Sequence, residues 1–261
     1  MIRFDCNDIA SGSADREGWI EAAADSLIRQ GYLILDNVLP RQVVESLDAS
    51  FLETYDRLLR DEDSEEIRQV GPQRFMMALG FTGRFADPQV FANPYVLPVI
   101  RRLMEASAVI EAYGAIVSLP EAPAQTQHFD GPHLFGTQLS AMLPPYAITC
   151  GLPLVEMNDE NGTTCIRPGS HRWQADDQEG PSLEPRIPVG SCMMWDFRLR
   201  HYGTPNKSPA PRPLLYCTYA RPWFRDPVNF KDKKRMPRLD FTPKFLETLP
   251  QDLRGLLAHA A

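Results

Sequence analysis

A histidine and an aspartate stand two apart in the run QHFDGPHLF, residues 127–135, as His128 and Asp130. On an extended strand, residues i and i+2 share a face and lie about 7 Å apart. Both side chains are therefore able to chelate one ion. Phe129, between them, is then expected on the opposite face with its ring packed in an apolar layer. The pair alone equally describes a surface pair or a salt bridge, so a metal reading needs a third ligand.

Two histidines and one carboxylate on one side of an octahedral ion leave three positions open, the arrangement used by non-haem iron(II) oxygenases. The chain holds five histidines. His259 lies beside the C-terminus, where fraying is expected, and His133 would have to fold back across a Gly-Pro turn. His171 and His201 both remain as candidates.

The elements that must position these groups follow from periodicity. WIEAAADSLIRQG sets Ile20, Ala24, Leu27 and Ile28 on one helical face and stops at Gly31. YLILD reads as a strand. A second helical stripe runs from Val43 to Leu58, and Asn93 is placed to cap a third helix in NPYVLPVIRRLM. From about residue 108 the texture changes to short strands separated by turn residues: VIEAYGAIVSL, AQTQHFD, LSAML, YAITCGLPLV, TTCIRP, IPVGSCMMWDF and RPLLYCTYARPW. The Asn-Gly of DENG, 159–162, is a hairpin signal. A last helical segment is expected after Thr-Pro in DFTPKFLETLPQDLRGLLAHAA, packed across the outside of the sheet.

With 261 residues, 43% of them apolar and 23% charged, the chain is long enough for a sizeable core and ordinary for a globular protein. A net charge of −7 argues against nucleic acid as a partner. The five cysteines contain no C-x-x-C pair and read as reduced core residues. The opening MIRFDCNDIA lacks the apolar run of a signal peptide, and no stretch approaches a membrane span. The expectation is a cytoplasmic protein with a small-molecule substrate and no membrane partner; monomer and homodimer both stay open.

The stretches GYLILDNVLP, QTQHFDG, NGTTCIRPGSHRW and HYGTPNKSPAPRPLLYCTY resemble, in order and over nearly the whole chain, the phytanoyl-CoA dioxygenase family of iron(II)- and 2-oxoglutarate-dependent oxygenases. The resemblance implies a mainly β fold with flanking helices, a double-stranded β-helix (jelly-roll, cupin-like) barrel with N-terminal helices packed on one sheet. It implies one domain over 1–261, with 1–107 as support, 108–225 as barrel core and 226–261 as a basic loop and C-terminal helix. It assigns His128, Asp130 and His201 as metal ligands and catalytic residues, and leaves His171 to hold a turn.

By the same resemblance, Arg212, eleven residues after His201, grips the far carboxylate of 2-oxoglutarate. The chemistry agrees, since a guanidinium is always charged and bonds a carboxylate bidentately. Gln125 and Thr164 are expected to contact the same cosubstrate. The family's usual Gly-Asp before the distal strand is replaced here, with Ser191 in the second place. Related halogenases lack the metal carboxylate; Asp130 is present and favours oxidation.

The implied cofactors are Fe(II), 2-oxoglutarate and dioxygen, with release of succinate and CO2 as a C–H bond is oxidised, most simply by hydroxylation. Family members act on acyl-CoA thioesters, amino acids and natural products. Phe75 and Met77, His133 and Phe135, and Tyr219 and Trp223 are expected to line a pocket for an apolar or ring-containing substrate. The rivals are a non-catalytic metal-dependent binding barrel, an acyl-CoA hydroxylase, and a zinc hydrolase, which would have no use for Arg212. The basic run FKDKKRMPR, 230–238, is expected as a mobile loop at the pocket mouth.

Overall fold

The described residues form ten strands. They are β1 (Arg3–Asp5), β2 (Tyr32–Asp36), β3 (Ile67–Gly71), β4 (Arg74–Ala78), β5 (Val109–Ser118), β6 (Ala147–Pro153), β7 (Thr164–Ile166), β8 (Cys192–Asp196), β9 (His201–Gly203) and β10 (Arg212–Ala220). The computed structural model describes residues 1–12, 18–61, 64–131, 133–135, 139–173, 180–230 and 236–260. Eight strands form one sheet in the order β1-β2-β8-β6-β10-β5-β4-β3, and β7 pairs with β9 in a second. All pairings are antiparallel except β1 with β2. This is the jelly-roll arrangement, mainly β with flanking helices.

Four of the eight strands of the large sheet, β1 to β4, precede residue 107. The first hundred residues thus build half of the sheet as well as supporting it. Residues 139–142, expected as part of a strand, form a short helix, Leu139–Met142. AQTQHFD, also expected as a strand, makes a single isolated bridge, His128 with His201.

Strand alternation divides the large sheet into two chemical faces. On one, Phe75, Met77, Tyr113, Val117, Leu215, Cys217 and Tyr219 meet Leu27, Leu47 and Phe51 of the helices Gly18–Gln30 and Arg41–Leu59 in the main core. The first of those helices buries Trp19, Ala23, Ala24 and Leu27 and leaves Ile28 exposed, a face rotated slightly from that expected. Asn93 accepts the amides of Tyr95 and Val96 and so caps the helix Val96–Met104. Thr242 caps the helix Pro243–Thr248, which brings Phe241 and Phe245 against Phe81, while Leu256 and Leu257 reach the same core. All five cysteines are free and buried. No helix among the described residues is long and apolar enough to cross a membrane.

The other face carries Arg74, Met76, Ala112, Thr149, Arg212, Leu214, Tyr216 and Thr218, and looks into a cavity of about 650 Å³. The small β7–β9 sheet and the segment 123–130 close over it.

Candidate metal centre

His128 and His201 face each other across the isolated bridge. Each backbone amide donates to the other's carbonyl, at 2.9 and 2.8 Å, and the two rings lie 4.5 Å apart. Asp130, just beyond, comes to 3.5 Å from Nε2 of His201. One ligand atom from each of the three residues lies within 4.8 Å of the other two.

Partners behind these groups fix which atoms face inward. Nδ1 of His128 lies 2.9 Å from the Thr126 carbonyl, and Nδ1 of His201 lies 2.9 Å from the Leu199 carbonyl. A ring nitrogen facing a carbonyl carries the proton, so both Nε2 lone pairs are left for a ligand. Oδ2 of Asp130 accepts the Trp195 indole at 2.9 Å and the Thr149 hydroxyl at 3.4 Å, leaving Oδ1 toward His201. Burial holds the His201 imidazole below its usual pKa, partly offset by Asp130. Two neutral imidazoles and one carboxylate, each oriented from behind, fit a divalent iron ion with open positions.

Two buried guanidiniums lie alongside. Arg212 and Arg74 are 3% and 1% exposed, and their hydrogen bonds go only to neutral oxygens. Arg212 reaches the Asn161 carbonyl; Arg74 reaches the carbonyls of Pro123 and Thr204 and the amide oxygen of Gln125. Nε of each has no partner among the described residues. Burial, with the repulsion of Arg74 second, pushes Arg212 down to about 9; burial pushes Arg74 down to about 10. Two desolvated cations side by side create a demand for an anion, and a dicarboxylate reaching from them to the metal site meets it.

Two glycines make room for them. Gly162, with φ +80°, sits where a Cβ would strike the Pro205 carbonyl and crowd Nη1 of Arg212. The Asn-Gly signal thus serves the guanidinium as well as a turn. A side chain at Gly203 would collide with the Arg74 guanidinium.

Gln125 lines the cavity, and its amide ties strands together: Oε1 accepts from Gly203 N and Arg74 Nη1, and Nε2 donates to Val70 O. Thr164 lines the cavity from β7. His171 is outside the His-Asp-His group and does not line the cavity; its Nε2 bonds the Ile28 carbonyl near the end of a helix. Ser191 donates to Asp36 at 2.7 Å, so an aspartate from β2 faces the position where the family's motif carries its own.

Several residues expected around the substrate stand elsewhere. Phe75, Met77 and Tyr219 are buried in the core on the far face of the sheet, because each has the opposite strand parity to Arg74 or Arg212. Phe135 and Trp223 are 53% and 62% exposed and do not line the cavity. His133 is half-buried, edge-on to Phe129. Phe129 itself is 39% exposed at the cavity wall and is absent from the core. A single bridge supplies no second layer for it to pack into. Residues 231–235 of the basic run, with Lys233 and Lys234, lie outside the described residues, while Phe230 and Met236 on either side of them are buried.

Arg74, Trp195 and Thr149 escaped the sequence reading. The alternation in RFMMA carried the signal for the first: once Phe75 and Met77 face the core, Arg74 and Met76 must face the other way.

A family model described as phytanoyl-CoA dioxygenase (PhyH) matches residues 27–214. The dioxygenase trt7 of Aspergillus terreus is 24% identical over 195 residues, covering 71% of this chain and 68% of that protein. The dioxygenase af480 of Aspergillus fumigatus is 27% identical over 177 residues, and the match spans 65% of this chain and about half, 53%, of the relative. Among solved structures, the non-haem α-ketoglutarate-dependent epimerase SnoN from nogalamycin biosynthesis superposes with a TM-score of 0.59 at 18% identity, covering 78% of this chain and 82% of that one. HygX from Streptomyces hygroscopicus, with nickel and 2-oxoglutarate bound, gives 0.60 at 14% identity, covering 78% and 88%. At these identities the structural likeness establishes the fold.

Proposed function

The chain belongs to the phytanoyl-CoA dioxygenase family of iron(II)- and 2-oxoglutarate-dependent dioxygenases, and we propose that it oxidises a C–H bond of a small organic molecule, most simply by hydroxylation, with release of succinate and CO2. The observation that carries this reading is the adjacency of two sites. An inward-facing His-Asp-His set lies in one cavity with two buried arginines that have no carboxylate partner among the described residues. A zinc hydrolase needs the first of these and has no use for the second.

When bound, Fe(II) would activate dioxygen, and oxidative decarboxylation of 2-oxoglutarate would supply two of the four electrons that dioxygen accepts, the oxidised substrate supplying the other two, so that one oxygen atom ends in succinate and the other in the product. His128 and His201 would hold the metal through Nε2 and Asp130 through Oδ1, each kept in place by the carbonyl, indole or hydroxyl behind it. Arg212, beside Arg74, would pair with the distal carboxylate of the cosubstrate, and Thr164 lies on the same wall. Gln125 acts at one remove, by steering Arg74. Burial of His201, Arg74 and Arg212 in the cavity wall lowers the local dielectric, which strengthens the charge interactions they make.

The test is succinate formation from 2-oxoglutarate with Fe(II), ascorbate and air, in the unmodified protein and in Arg212→Leu. Succinate from the first alone supports the reading. Zinc-dependent hydrolysis without succinate, or equal succinate from both proteins, overturns it.

A further inference from the structure

Among the described residues, the fully buried side-chain polar atoms of the cavity wall away from the two arginines have partners within the protein, with one exception. Arg68 donates to the Asn229 carbonyl. Asn229 Nδ2 donates to the Asp130 carbonyl at 3.2 Å and to Asp226 at 2.8 Å. Asp226 accepts the amides of Val228 and Asn229, and Glu111 accepts the Asp226 amide and pairs with Arg238 and Arg225. Thr149 and Thr218 lie 3.3 Å apart, within hydrogen-bond reach of each other. The exception is Tyr216. Its side chain is buried, lines the cavity, and its hydroxyl has no hydrogen-bond partner among the described residues.

The surroundings of that hydroxyl are chosen by the sheet. Tyr216 stands directly opposite Gly114 on β5, and a Cβ at Gly114 would lie 2.5 Å from the phenol oxygen. The ring is thus laid sideways over the missing side chain, toward β4, and not back along β10 toward Arg212. Met76, Ala112 and Phe230 surround it. A buried hydroxyl without a partner carries a desolvation cost that a ligand acceptor would remove.

We propose that the Tyr216 hydroxyl is the substrate-positioning donor of this cavity, and that the substrate is a mostly hydrocarbon molecule without a cationic group, carrying a carbonyl or ether oxygen. This rests on the reading of the cavity as an oxidation site. A cationic group in the ligand has no free counter-charge there, since Glu111 pairs with Arg238 and Arg225 and Asp226 accepts three N–H donors within the wall. Burial, with Asp226 and Asp130 nearby, raises the phenol well above its ordinary pKa, so it stays protonated and donates. Apolar contacts with Met76, Phe129 and Phe230 hold the carbon frame, and one hydrogen bond fixes its orientation to the metal site.

The experiment compares matched probes by calorimetric titration: camphor against bornane, and 2-adamantanone against adamantane. Each is titrated into protein loaded with Ni(II) and 2-oxoglutarate, and again into metal-free protein. Loading is thereby read separately, and its failure counts against the oxidation site and not against the phenol. The expected result is a preference for the ketone of at least one pair, of about fivefold or more, lost in Tyr216→Phe. That variant should unfold at the same temperature as the unmodified protein or higher, because the oxygen removed has no partner in the fold. No preference in either pair, including no binding, overturns the proposal. So does a preference that survives in Tyr216→Phe, or a lowered unfolding temperature in that variant.

Discussion

The indole nitrogen of Trp195 donates to Oδ2 of Asp130 at 2.9 Å, so the carboxylate that would meet the metal is aimed by a residue on the neighbouring strand β8. Trp195→Phe keeps the aromatic packing and removes that donor. Iron affinity should fall by about 10–100-fold while the β-rich circular dichroism spectrum is retained. Metal content after dialysis against a graded chelator is the measurement; unchanged iron affinity would leave Trp195 a packing residue only.

Phe129 and Phe75 make a second contrast. Phe75 is 1% exposed in the core, whereas Phe129 is 39% exposed at the cavity wall. Phe75→Ala should cost about 3–5 kcal/mol through the cavity it leaves, and Phe129→Ala about 1 kcal/mol or less. Chemical denaturation of the two variants settles the ranking. Equal losses would mean that Phe129 is buried in solution.

The paired arginines give an opposed effect on stability and binding. In ligand-free protein Arg212→Leu should leave stability unchanged or raise it, since a desolvated cation without a counter-charge is replaced by an apolar side chain. The same variant should lose stabilisation by 2-oxoglutarate. With folded-state values lowered to about 9 and about 10, the burden of the two cations is fully present at neutral pH and is relieved only in alkali, as pH rises through those values. Melting temperatures with and without 2-oxoglutarate test this. A lower melting temperature for ligand-free Arg212→Leu would make the residue structural.

His171 should govern acid stability. Burial, first among its influences, holds its folded-state pKa below 6.5, the ordinary value. The unfolded chain therefore takes up the proton first. The contribution is complete above 6.5 and is lost as pH falls through the lower folded value. Denaturation midpoints of the unmodified protein and His171→Gln, followed from neutral to acid pH, should differ in slope. Parallel curves would remove His171 as the titrating group.

Much of the site was legible because chemistry and spacing coincide there. His128 and Asp130 are two apart, the distal ligand opens HYGTPN, and prolines flank the guanidinium at 212. The cavity wall was less legible, for a geometrical reason. Aromatic residues at 75, 135, 219 and 223 look alike in sequence, but strand parity and burial send two to the core and two to the surface. Parity was readable from Arg212 onward and would have chosen Tyr216 over Tyr219. The strand reading of AQTQHFD failed because a single bridge, with a bend at Asp130, does not impose alternation on its neighbours. Arg74 was hidden because a buried arginine becomes reasonable only once Gly203 and Gln125, distant in sequence, are seen beside it.

Every residue of β10 is buried, Leu215, Cys217 and Tyr219 by the helical core and Arg212, Leu214, Tyr216 and Thr218 on the cavity side. A lineage of such proteins therefore has little freedom to drift along this strand: an exchange at one parity disturbs packing, at the other the reacting centre. The wall from Asp226 to Phe230 is different, being hung from Arg68, Glu111 and the Asp130 carbonyl by side-chain hydrogen bonds and not by a ladder. New substrate ranges are most cheaply reached there, where a loop can be rewritten without disturbing a single strand register.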